Sequence, residues 1–287
     1  MVNGFINILK PPGMTSHDVV SFIRRTYGMK RVGHAGTLDP AAAGVLPVAL
    51  GQATRLIEYT TDADKSYRAE LTLGFETDTG DDTGQITRKE SFILPSRSQI
   101  ETVLESFIGK SEQVPPMYSA IKIDGKKMYE LARAGITVER KPRSIYIEKI
   151  SLINISQNTI LFDVTCSKGT FIRTLCTDIG NKLNIPAVMS FLVRTRVGTF
   201  LLDESFTLEE VQNDTTAAIL QPDKALLHLP SLSLSEQASK SFCYGQTIPL
   251  NEVNQLQLRI YDNNNIFIGI GQLSSGLLSP TKVMSFA

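Results

Sequence analysis

Gly33-His-Ala-Gly-Thr-Leu-Asp-Pro40, with Val45-Leu-Pro-Val-Ala-Leu50 close behind it, is the stretch on which the reading of this chain turns. Two glycines three apart allow backbone angles closed to other residues and bring the main chain close to a ligand. Pro40 lacks a donor and biases Asp39 toward extended geometry, so the carboxylate stands at a stiffened corner. The continuous apolar run after it, ended by Gly51, predicts a buried strand behind that corner. A carboxylate on a rigid loop over a core strand suits a nucleophile. An ordinary Asp-Pro turn has the same pattern, so pattern alone leaves both readings open.

The chain has 287 residues, 42% hydrophobic and 20% charged, which is globular composition with ample length for a core. No run approaches eighteen apolar residues, and Met1 leads into Asn3 and Gly4 without a basic-then-apolar segment, so neither a membrane span nor a secretory signal is expected. Cys166, Cys176 and Cys243 form no CxxC pair, and with three histidines a zinc site is not expected. Reduced thiols in a cytoplasmic protein fit this usage. Net charge is zero, yet residues 1–60 carry six Lys/Arg against three Asp/Glu, and 111–200 carry thirteen against seven. Residues 61–110 and 201–287 hold the compensating acids, so one face is expected to meet a polyanion, although charge fluctuates along any chain.

Working outward, Phe5–Leu9 reads as a strand closed by Lys10-Pro-Pro-Gly13, and Thr15 or Ser16 caps a helix running to Gly28. Lys65–Gly74 alternates and predicts a strand with Tyr67 early in it. Asp78-Thr-Gly-Asp-Asp-Thr-Gly84 fails as a calcium loop, because glycine holds the third position and Lys89 stands where the closing Glu belongs. It is expected to be an exposed acidic hairpin loop. Ser98-Gln-Ile-Glu101 predicts a capped helix ended by Gly109. Lys122, Lys126, Lys127, Arg133, Arg140, Lys141 and Arg143, with Tyr118 and Tyr129 among them, suit RNA bases and phosphates. An Asp124-Gly125 turn and a helix over 128–134 are expected within this stretch. Strands over 145–154 and 160–167 lead to a helix with Ile172, Leu175, Cys176, Ile179 and Leu183 on one face. Arg173, in its first turn, opposes the helix dipole unless a carboxylate or phosphate neutralises it. Residues 201–230 read as an acidic helical connector, and 231–287 as short strands and turns.

The octapeptide and Gly44-Val-Leu-Pro-Val-Ala-Leu-Gly-Gln-Ala-Thr-Arg55 resemble motif II of the TruB family, the tRNA pseudouridine-55 synthases. Lys10–Val20 resembles the family's motif I, which supports the active loop. Pro-Pro-Met-Tyr-Ser-Ala120 and Tyr-Glu-Leu-Ala-Arg133 also match, and Cys-Ser-Lys-Gly-Thr-Phe-Ile-Arg-Thr-Leu175 resembles motif III. The likeness covers about residues 3–200 closely and 231–287 loosely. It implies an α+β pseudouridine synthase fold: a large mixed, mainly antiparallel sheet flanked by helices, with a small C-terminal β-rich PUA-like domain. The implied division is a catalytic domain over 1–230, its last part (201–230) the acidic connector, and an RNA-binding domain over 231–287.

The resemblance further implies that Asp39 is the nucleophile, that Arg173 pairs with it, and that Tyr67 stacks on the target base. Leu192 would line the base pocket, His34 would fill the space the flipped base vacates, and Phe171, Gly36 and Lys10 would contribute to substrate binding. The family has Tyr where Phe171 stands, so any hydrogen bond from that hydroxyl is absent here. The expected partner is the T arm of tRNA. No cofactor, metal, membrane or protein partner is expected, and the enzyme is expected to act as a monomer. Two rivals stand beside this reading: a noncatalytic RNA-binding protein or tRNA-folding chaperone, and an RNA-guided relative within a ribonucleoprotein.

Overall fold

The computed structural model describes residues 2–123, 125–250 and 255–284, so Asp124 of the expected turn lies outside the described residues. A ten-stranded sheet organises the chain. Its main path runs Ile219–Leu220, Gly4–Lys10, Ala43–Leu50, Ala187–Val197, Lys65–Leu73, Thr159–Cys166, Arg143–Ser156 and Gly109–Gln113. Along that path one junction is parallel, Ala43–Leu50 against Ala187–Val197, and it rests on two residue pairs, Val193 with Ala43 and Arg194 with Gly44. The other joins are antiparallel, so the sheet is mixed and mainly antiparallel, as expected. The octapeptide leaves the sheet after Gly33 and His34, which pair antiparallel with Ala49 and Val48, and the chain rejoins the sheet at that parallel junction.

Glycine at 44 is dictated by the approach there. Its φ is +111°, and a Cβ would fall inside the Arg194 backbone. The apolar run 45–50 is buried throughout because helix Ser16–Thr26 covers Leu46 and Val48 on one face, with Ile6 and Ile8 beside them. Helices Arg97–Glu105 and Ile172–Leu183 cover the other half of the sheet, over Ala69, Leu71, Phe162 and Val164. Alternation in Lys65–Leu73 sends Lys65, Tyr67, Ala69, Leu71 and Leu73 to this covered face.

Several expectations change. The helix over 97–105 starts two residues earlier than its capping signal suggested: Ser96 is the cap and Gln99 closes the box. Gly109 opens a strand, Gly109–Gln113, rather than merely ending the helix. The 201–230 connector has a single α-helix among its described elements, Leu208–Asn213, and lends Ile219–Leu220 to the sheet edge beside Phe5 and Ile6. The C-terminal part forms a five-stranded sheet around a helix, Glu236–Cys243, that turn signals had hidden. Phe267, Ile270 and Met284 from this part share one apolar cluster with Phe5, Val45, Ala49 and Leu56. The two parts are therefore fused through a core. No helix among the described residues is long and apolar enough to cross a membrane.

Candidate active site

The loop carrying Asp39 is held from below on both sides of the carboxylate. Ser16, at the start of its helix, donates to the Leu38 carbonyl (3.2 Å) and accepts from the Leu38 amide (2.9 Å). The Gly13 amide and the Lys10 ammonium both reach the Pro40 carbonyl, at 2.8 and 3.2 Å. Lys10 is fully buried and also donates to the carbonyls of Pro11 (2.8 Å) and Met14 (2.6 Å). It therefore has no surface to offer a phosphate, and the expectation of a substrate contact by Lys10 gives way to support of the loop. Burial draws its pKa down to about 8, with Arg194 adding to the effect and Asp39 opposing it.

With its backbone fixed, Asp39 projects into a cleft of about 510 Å³. Its Oδ2 lies 2.9 Å from Nε of Arg173, whose side chain is 6% exposed while that of Asp39 is 37% exposed. The guanidinium is shared: Nη1 donates to the Thr79 carbonyl at 2.9 Å and Nη2 to the Tyr118 carbonyl at 2.6 Å. One cation thus joins the Asp39 loop, the acidic loop and the segment leading into the basic arm. Asp81 adds a second carboxylate 3.9 Å away, so the dipole mismatch foreseen for Arg173 is neutralised by two acids. The acidic loop is accordingly a wall behind Arg173 and not a free hairpin tip. It is docked on the Ala187–Val197 strand by Met189 N to Gly80 O and Asp82 N to Met189 O, each 3.1 Å.

Tyr67, Leu192, Phe171, His34 and Gly36 line the same cleft. Tyr67 is buried, and desolvation pushes its hydroxyl pKa up to about 12, with the Arg194 charge opposing. At neutral pH it is a protonated ring wall and hydrogen-bond donor. Burial holds His34 below its ordinary pKa, so its imidazole is neutral at pH 7. Phe171 is aimed by a contact that sequence reading missed. The buried Gln113 side chain accepts from the Phe171 amide (2.8 Å) and donates to its carbonyl (3.1 Å). Phe171 precedes the helix without a capping side chain of its own, and this clasp supplies its backbone partners. Lys65 and Arg194 also line the cleft and were not foreseen as site residues.

Across the mouth, Lys168 pairs with Asp62 at 2.7 Å, both largely exposed. Ser119, Ala120 and Ile121 form the opposite lip, so the arm that carries the cations begins at the cleft. Within that arm Lys127 and Arg133 both lie over the Tyr129 ring, 5.3 and 5.6 Å from its centre. A carboxylate with one fixed direction and a guanidinium counter-charge, between an aromatic wall and apolar side chains, can attack or stabilise an electrophilic carbon held there.

Three family models match the chain from residue 24 to residue 284. Residues 24–172 match the TruB family pseudouridylate synthase N-terminal domain, 173–229 the tRNA pseudouridylate synthase B C-terminal domain, and 230–284 the pseudouridine synthase II TruB C-terminal model. A tRNA pseudouridine synthase B from Caldanaerobacter subterraneus subsp. tengcongensis is 46% identical over 285 residues, covering 98% of this chain and 99% of its own. One from Bacillus velezensis is 50% identical over 251 residues, covering 84% and 81%. Among solved structures, a Cbf5–Nop10–Gar1 complex matches at 28% identity with a TM-score of 0.77, over 98% of this chain and 84% of that one. An H/ACA RNP bound to a substrate RNA matches at 25% identity with the same TM-score, over 98% and 85%.

Proposed function

We propose, from the premise that this chain belongs to the TruB family of pseudouridylate synthases, that it isomerises uridine 55 in the T loop of tRNA to pseudouridine. The carrying observation is the Asp39 carboxylate, 2.9 Å from a buried Arg173, inside a cleft walled by Tyr67, Phe171 and Leu192. The reaction breaks the bond from ribose C1′ to N1 of uracil, turns the base, and joins C1′ to C5. The proton leaves C5 and one is gained at N1, so atoms balance without a cofactor. Asp39 is the nucleophile in this reading, and Arg173 aims it and supplies its counter-charge. Tyr67 and Leu192 hold the detached base, while His34 stacks where the extruded nucleotide had been. The cationic arm over 122–143 tracks the RNA backbone.

A noncatalytic RNA-binding protein would gain nothing from a carboxylate directed into the cleft that RNA enters. The relatives at 45–50% identity are named for tRNA, whereas the ribonucleoprotein structures lie at 25–28%. Both favour the enzyme acting alone. The test is purified protein incubated with an unmodified tRNA transcript, with pseudouridine mapped along the product. Conversion at position 55 without any added RNA or protein is expected. Binding without conversion would support the chaperone, and conversion only with an added guide RNA would support the ribonucleoprotein relative.

A further inference from the structure

Arg194 is 1% exposed and lies directly across the sheet from Tyr67 in register. Its guanidinium donates to three backbone carbonyls: Nε to Val45 at 2.8 Å, Nη2 to Gly36 at 3.1 Å and Nη1 to Thr37 at 3.4 Å. No carboxylate among the described residues lies within ion-pair distance of it. A buried guanidinium without a counter-ion is costly, and an apolar side chain of the same volume would pack there with less penalty. The fold retains the charge at the point where the loop leaves and rejoins the sheet. Gly36 and Thr37 precede Asp39, and Val45 follows it. Ser16 and Lys10 already hold Leu38 and Pro40, so Arg194 completes the set by gripping both ends.

We propose that Arg194 is a positioning residue for the reaction, its fork fixing the two ends of the Asp39 loop against the strand that carries Tyr67. This rests on the reading of Asp39 given above. Carboxylate and phenol then take their separation from one buried side chain, and a displacement of about 1 Å at a reacting group costs on the order of 100-fold in rate. The charged and titratable groups around Arg194 come from five elements and the loop: Lys10 on its strand, Asp18 on the helix behind it, His34 at the end of Val32–His34, Lys65 and Tyr67 on their strand, Cys166 beside them, and Asp39 on the loop itself. Burial first, and the Arg194 charge after it, draws the two lysines down to about 8.

The experiment uses full-length protein with Arg194→Met and Arg194→Lys, measured beside Asp39→Asn. Single-turnover rate at saturating enzyme, tRNA affinity, melting temperature and the rate–pH profile are followed for each. Arg194→Met is expected to lose about 100-fold in rate with affinity within about threefold. Arg194→Lys, which keeps the charge and loses the fork, should recover about tenfold of that loss. The alkaline fall in rate should move to higher pH in Arg194→Met, because both lysines then keep their protons longer, and should stay near the parent's in Arg194→Lys. A packing role would lower the melting temperature of Arg194→Met without a comparable loss of rate, and would give Arg194→Lys no rescue of rate over it. Folded Arg194→Met with a parent-like rate, or a loss wholly in affinity, overturns the proposal. Should Arg194→Met fail to fold, a parent-like rate in Arg194→Lys overturns it equally. If Asp39→Asn turns over, the underlying reading of the site has failed. If Asp39→Asn is inactive and the Arg194 variants are normal, the fault lies with Arg194 alone.

Discussion

Arg173 commits its three nitrogens to three different segments, and that decides what its removal does. Arg173→Ala takes the counter-charge from Asp39 and leaves the carbonyls of Thr79 and Tyr118 without their donor. Turnover is expected to fall by at least about 100-fold, with a lower melting temperature as well, read by single-turnover kinetics and thermal denaturation. Lys10 is expected to make the rate depend on pH. Its folded pKa of about 8 lies below the ordinary value, so it is charged beneath the Pro40 carbonyl at neutral pH and loses that charge as pH rises through 8. Turnover should therefore decline above about pH 8. The sign for stability is opposite: between about 8 and 10.5 the unfolded chain binds the proton more tightly, so this group's contribution to stability rises with pH there. The Asp39–Arg173 pair was legible because both residues sit in recognisable motifs. Arg194 was not, since Arg194 and Arg196 look alike in an alternating strand. Pairing across the sheet separates them: Arg196 reaches the Ser66 hydroxyl at 3.1 Å, while Arg194 is sealed beneath the loop.

At the level of elements, periodicity located most strands and helices, because burial on one face imposes spacings of two and 3.6. What it could not supply was register and choice between near-equal caps. Ser96 with Gln99 and Ser98 with Glu101 both satisfy the capping-box spacing. The first prevails, giving the helix two more residues and an ion pair from Arg97 to Glu101 at 2.8 Å. Ser96→Ala should cost about 1 kcal/mol, whereas Ser98→Ala should cost about half a kcal/mol or less, both measured by denaturant unfolding. The strand Gly109–Gln113 was invisible because Gly-Lys-Ser-Glu-Gln has no apolar alternation; it is an edge strand whose pairing partner, Arg143–Ser156, supplies the reason to form. With it the Gln113 clasp on Phe171 escaped notice. Phe171→Tyr should be tolerated within roughly 1.5 kcal/mol, since the backbone is already held by Gln113 and the ring faces the cleft.

Over the whole molecule, residues 231–287 read as a separate run of short strands and turns, and in the fold they share an apolar cluster with the rest of the chain. Phe267, Ile270 and Met284 cover Phe5, Val45 and Leu56, while Lys282 pairs with Glu58 at 2.8 Å and Arg55 donates to the Val283 carbonyl at 2.6 Å. Ending the chain at Pro230 would bare that cluster. At roughly 1.5–3 kcal/mol per large apolar side chain, the shortened protein should melt far below the parent, as circular dichroism would show. Charge in the arm is better probed by substitution. Replacing Lys126, Lys127 and Arg133 with Gln should flatten the dependence of log affinity on log salt by roughly 0.7–0.9 for each phosphate no longer neutralised. Lys240→Gln, paired with Glu236 on the C-terminal helix, should leave it unchanged.

The central claim is that the Asp39 carboxylate acts on the nucleotide and not merely on the fold. Asp39→Asn preserves the size of the side chain while removing its charge, and the loop beneath it keeps its bonds to Ser16, Lys10 and Arg194. The measurement is pseudouridine formed from unmodified tRNA by this variant at saturating enzyme, with tRNA affinity determined on the same preparation. No product, with affinity within about threefold of the parent, is the predicted result. Product formed at a rate near the parent's would contradict the account.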